Sequence, residues 1–178
     1  HNTVADNRNT APDPGTTSVG VYITKSGEES SNVQLINNII ASHNIGVLLL
    51  TGNSAGITNN LFFNTDADWS GPVDYVPAIG NKVGDPMFVD PANGDYHIQR
   101  ASAAFDIGTT TDVTTDIEGT PRPSAFGVDA GAYEHHYDQG VYLRVTADPK
   151  FVNSGEQVTY VVDVINNSPA TVNGVNVN

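Results

Sequence analysis

The stretch DADWSG, Asp66 to Gly71, sets oxygen-bearing side chains at alternate positions ahead of a glycine. Asp66, Asp68 and Ser70 in this spacing, with Asp74 at the ninth position, imitate the first half of a calcium loop. Such a loop closes with a bidentate Glu at its twelfth position, where this chain has Pro77. A polar turn without metal accounts for the same residues, so calcium is one reading and no cofactor is required. Trp69 and Tyr75 flank these oxygens and could stack on a sugar ring; a hydrophobic lid over the neighbouring strands is the favoured explanation.

A second set of charged residues lies further along, in SAAFDIG, DIEGTPRP and GVDAGAYE. Asp106, Arg122, Asp129 and Glu134 offer an acid, a base and an anion binder. The same residues could instead pin irregular loops, with Arg122 clamped on Asp106 or Asp129 as the expected pair. We favour the structural role. The five histidines show no metal spacing beyond the adjacent His135 and His136, which point to opposite faces on a strand. Cysteine is absent, which removes disulfides, zinc–thiolate sites and thiol nucleophiles. No phosphate loop, serine elbow or HExxH motif occurs.

Charge narrows the partners. With 20 acidic and 7 basic residues the net charge is −13, which excludes the Lys/Arg clusters that nucleic acid or anionic lipid would need. No apolar run approaches the length of a membrane span.

The elements that must carry these residues are strands. Helical periodicity is lacking, while short Val/Ile/Leu/Tyr runs alternate with Gly, Asn and Asp. INNIIASHN from Ile36 aligns with TNNLFFNTD from Thr58, so that Asn38 falls on Asn60; HNTVADN places Asn2 in the same frame. GVYIT from Gly20 matches GVLLL from Gly46. The period is about 22 to 26 residues, one supersecondary unit that must stack on its neighbours to bury a core. Stacking sets Asn2, Asn38 and Asn60 above one another as an amide ladder at a corner, where Asn also tolerates the left-handed backbone. Ile36, Ile39, Val47, Leu49, Ile57, Leu61 and Phe63 are the expected core.

From Gly80 the repeat stops. The succession DPMFVDPANGDYHI, SAAFDIG, DIEGTPRP, GVDAGAYE resembles the C-terminal end of right-handed parallel β-helix proteins of microbial surfaces, the pectin-lyase-like, choice-of-anchor type. Ala103 stands where a Pro is more usual in that pattern. The resemblance implies all-β coils over residues 1–79 and an irregular C-terminal cap over 80–136. Met87, Phe88, Tyr96, Ile98, Phe105 and Ile107 would then cover the open end of the stack. After a linker at 137–140, residues 141–178 resemble the start of an Ig-like surface repeat. They are too few for a complete sandwich, so three or four strands with an open edge are expected.

Together these features predict an extracellular or cell-surface segment with a structural or adhesive role and no catalysis. Its partners would be copies of itself or neighbouring modules joined through β edges, and polysaccharide. The alternatives are a polysaccharide-lyase-like fragment and a glycan-binding module. No signal peptide is visible at the N-terminus, so targeting segments and further coils are expected upstream.

Overall fold

The computed structural model describes residues 1–6, 17–25, 30–71, 78–124, 126–135, 141–148, 153–166, 171, 173 and 174. Asp74, Tyr75 and the expected linker at 137–140 lie outside the described residues. Two compact units appear, His1–His135 and His136–Asn178.

The protein is nearly all β. In the first unit the chain visits three parallel sheets in rotation. One contains β1 (Thr3–Val4), β4 (Ile39–Ala41), β7 (Leu61–Phe63) and β10 (Lys82–Val83). The second contains β2 (Val19–Ile23), β5 (Ile45–Leu49) and β8 (Ala67–Ser70); the third contains β3 (Asn32–Ile36), β6 (Ser54–Thr58) and β9 (Ala78–Ile79). Each strand pairs with the third one after it, so a residue meets its counterpart from the next circuit: Ile39 beside Leu61, Val47 beside Trp69, Leu35 beside Ile57. Among the described residues, no helix is long and apolar enough to cross a membrane.

Local chemistry sets the bends. Asn37 and Asn59 take the left-handed conformation, with φ of 57° and 53°, which the first Asn of each pair makes inexpensive. A second bend repeats with Asp6, Ser42 and Asn64, at φ of 63°, 59° and 52°. Gly46 answers a different need: a Cβ there would lie 2.5 Å from the Asp68 carbonyl oxygen and 2.9 Å from the Phe62 ring. Only glycine lets β5 approach both.

The core divides in two. Ile23, Ile40, Val47, Leu49, Ala55, Ile57 and Phe62 fill the space enclosed by the sheets. Ile39, Ala41 and Leu61 point the other way and pack with Ile98, Ala104, Ile107 and Ala130. β4 and β7 are thus covered on both faces, as parallel strands commonly are. Ile40 and Phe62, absent from the expected core, are fully buried, whereas Ile36 and Phe63 are half-buried.

The segment beyond Gly80 lies along the flank of the β1–β4–β7–β10 sheet, where Ile98, Ala104, Ile107 and Ala130 pack on Ile39, Ala41 and Leu61. Within it β11 (Phe88–Asp90) and β12 (Asp95–Ile98) form an antiparallel hairpin around a 3-10 turn at Pro91–Asn93. In β9 and β10, Ile79 is 64% and Val83 73% exposed.

In the second unit β13 (Val141–Asp148) and β14 (Thr159–Asn166) form an antiparallel pair, two strands among the described residues where three or four were expected. The register sets Leu143 opposite Val164 and Val145 opposite Val162 on one face; Arg144 opposes Asp163 on the other. That pair forms a half-exposed ion bridge of 3.1 Å.

Candidate functional site

The Asn residues form a continuous column. Asn2 donates its main-chain N–H and its Nδ2 to Oδ1 of Asn38, at 2.9 and 3.1 Å. Asn38 repeats this to Oδ1 of Asn60 at 2.9 and 2.8 Å, and Asn60 to Oδ1 of Asn81 at 2.8 and 3.2 Å. The side-chain oxygens of Asn38, Asn60 and Asn81 each accept two hydrogen bonds from the circuit before. Asn81 is the rung that sequence reasoning missed. It lacks a doublet, and its one clue is a spacing of 21 residues from Asn60.

The first Asn of each pair has a separate task. Asn59 donates Nδ2 to the Ile107 carbonyl at 2.6 Å. Asn37 donates Nδ2 to the Thr109 carbonyl at 2.7 Å and accepts the Thr109 N–H at 2.9 Å. The His1 ring lies 3.0 Å from the Thr111 hydroxyl. Residues 107, 109 and 111 therefore meet three successive circuits, and this short stretch runs across the strands as a strap.

Arg122, Glu134, Asp129 and Asp116 gather where the strap ends. The Arg122 side chain is 1% exposed and that of Glu134 0%, with Nη1 2.7 Å from Oε2. Arg122 also donates to the carbonyls of Asp129 at 3.0 Å and Gly131 at 2.9 Å. The expected clamp on Asp106 or on the Asp129 carboxylate is thus corrected: the charge partner is Glu134, and Asp129 contributes its main-chain oxygen. The loop from 128 to 134 curls around the guanidinium and turns its carbonyls inward. The Asp129 carboxylate instead accepts the N–H of Asp106 at 2.8 Å and of His135 at 2.6 Å. Asp116, not singled out from sequence, accepts the N–H of Glu118, Thr120 and Glu134.

Burial pushes Asp129 up to about 7, against the pull of its two N–H donors, and the charges of Glu134 and Asp106 push the same way. Glu134 is also raised, by burial above all. Asp116 is lowered: burial works against this, but three N–H donors and Arg122 outweigh it. Asp129 and Glu134 hold protons more tightly in the folded than in the unfolded chain. Their stability contribution is complete below the unfolded carboxylate value, about 4, and for Asp129 is lost as pH rises through 7. Asp116 acts oppositely, and only at more acidic pH. The melting temperature is therefore expected to fall between about pH 4 and 7. Asp129→Asn should flatten that slope; circular dichroism melts of both proteins across the range check it.

Of the calcium candidates, Asp66 precedes strand β8 (Ala67–Ser70), Asp68 and Ser70 lie in it, and Asp74 lies outside the described residues; the backbone of β8 pairs with β5. Asp66 accepts a hydrogen bond from Asn44 at 2.8 Å and Asp68 one from Thr65 at 2.6 Å. Alternate positions along a strand share one face, so Asp68 and Ser70 lie on the same side of β8. Among the described residues no group of three or more His, Asp or Glu could hold a metal ion. Trp69, 45% exposed, borders a small recess with the core residues Val47, Leu49, Ala55 and Ile57.

His97 sits between Asp95 at 2.6 Å and Glu118 at 3.1 Å, and its ring packs on Tyr133 at 4.0 Å. It ties the β11–β12 hairpin to the 116–119 turn. Burial lowers its proton affinity, but the two carboxylates raise it overall.

Compared with family models, with curated proteins and with solved structures, the chain finds no match.

Proposed function

We propose that this chain is a segment of an extracellular, cell-surface protein. Its first unit is a right-handed parallel β-helix with a structural or adhesive role, and its second belongs to an Ig-like repeat. The amide column from Asn2 to Asn81 carries this reading. A repeated corner residue bonded to its own kind at each circuit suits a rod that lengthens by adding circuits. The acidic surface suits a self-repelling, solvated exterior. The buried charges at 116–134 are engaged with main-chain groups of their own loops, which supports a clasp over an acid–base pair.

The chain joins copies of itself or neighbouring modules through its β edges. Lys82 donates its N–H to the Asn60 carbonyl just before β7 and Gly84 to that of Phe62 within it, so the Val83 N–H faces the open side of β10. The apolar face of β13–β14 is bare as well, with Val145 61% and Tyr160 66% exposed. Light scattering on the purified protein is expected to give a mass that grows with concentration. Val83→Pro, which removes one outward donor, combined with Val145→Lys should return it to monomer. A wild type that is monomeric throughout would overturn self-association. The rival reading, a polysaccharide-lyase-like fragment, requires cleavage of polyuronate that is lost in Asp68→Ala.

A further inference from the structure

Between the second bend and the β11–β12 hairpin lies an open groove of about 360 Å³, with Phe63, Met87 and Phe88 among its apolar lining. This falls at the lower end of ligand clefts, which run from about 300 to 1,000 Å³. Asp6, Asp85, Ser42 and Gln99 supply its polar groups. Among the described lining residues none is Lys, Arg or His.

We propose that this groove binds an uncharged oligosaccharide, with the apolar lining under the sugar ring and Asp6, Asp85 and Gln99 reading its hydroxyls. Three observations point to that ligand class. Apolar surface beside carboxylate and amide side chains matches a molecule that carries a C–H face and a hydroxyl rim. Two carboxylates, with no cation among the described lining residues, disfavour uronates, sulfates and phosphates, and the net charge of −13 does so at longer range.

The groups are also held before any ligand arrives. The Asp6 carboxylate accepts the Tyr96 hydroxyl at 2.7 Å, and Tyr96 packs edge-on against Phe88 at 5.1 Å. Asp85 Oδ1 accepts the Met87 N–H at 2.7 Å; Gln99 donates Nε2 to the Phe88 carbonyl at 3.3 Å. Each bond to Asp6 and Asp85 engages one carboxylate oxygen, and the other is the acceptor for a sugar hydroxyl. Such preorganisation lowers the ordering cost of binding.

The groove goes beyond the rod-like role and does not depend on it, so its test is separate from light scattering. The full chain, labelled with nitrogen-15, is titrated with cellohexaose, xylohexaose, mannohexaose and maltohexaose, and with hexagalacturonate as the acidic counterpart. At least one neutral hexasaccharide should shift the amide signals of Ser42, Met87 and Gln99, while hexagalacturonate leaves them in place. Asp6→Asn and Gln99→Ala are exposed changes that should fold normally, as an unchanged spectrum elsewhere would verify. Each should weaken binding about tenfold or more, as expected for a hydrogen bond to a charged group or a lost contact of similar worth. The proposal is overturned if no neutral sugar shifts these signals, if hexagalacturonate binds as well, if both variants bind like wild type, or if binding requires added calcium.

Discussion

Arg122→Ala is expected to lower the stability of the His1–His135 unit by about 3–5 kcal/mol, read as a shift in the urea midpoint with an unchanged slope. The guanidinium bonds Glu134 and two loop carbonyls at 2.7–3.0 Å in a place closed to water. Removing it strands a buried carboxylate and the Asp129 and Gly131 oxygens together. The penalty comes from those orphaned partners more than from any net gain of the ion pair. Arg122→Lys should recover only part of the loss, because one ammonium cannot reproduce the fork that reaches all three oxygens. A loss below about 1 kcal/mol in Arg122→Ala, the range of an exposed pair, would mean that the clasp does not hold the strap.

Asn60→Ala should cost about as much, roughly 3–5 kcal/mol, from two or more buried groups left unpaired at about 1–3 kcal/mol each. Its Oδ1 accepts both donors of Asn38, and its Nδ2 donates to Leu35, Thr58 and Asn81. Asn60→Asp keeps the shape and the acceptor but turns a carboxylate oxygen toward three oxygens, so it should not rescue. Asn2→Ala, at the exposed end of the column, should cost under about 1 kcal/mol. Denaturant unfolding of the three variants gives the ordering. Equal losses at Asn2 and Asn60 would show that the column is not cooperative with the buried core.

These two sites differ in how far they could be read beforehand. The column was visible because stacking requires the same residue at the same place in each circuit, which leaves a repeat in the chain. Asn2, Asn38 and Asn60 were found this way, and Asn81 escaped because it lacks the doublet. The clasp was visible only as a set of charges. Glu134 and Arg122 lie 12 residues apart in an irregular loop, where no period links position to partner.

The amino-acid sequence alone determined the strand content, the circuit length, the doubled-Asn bends and the acidic surface, because each follows from residue type and spacing along a line. Only the tertiary structure decided that the segment beyond Gly80 lies along a flank, that Ile39 and Ile40 are buried on opposite faces of one strand, and that DADWSG continues into β8. It also decided that Asp6 and Asp85 share a groove with Phe88. A period reports which side of a strand a residue takes. It does not report what comes to cover that side, since this depends on which distant apolar surface gains most by leaving water.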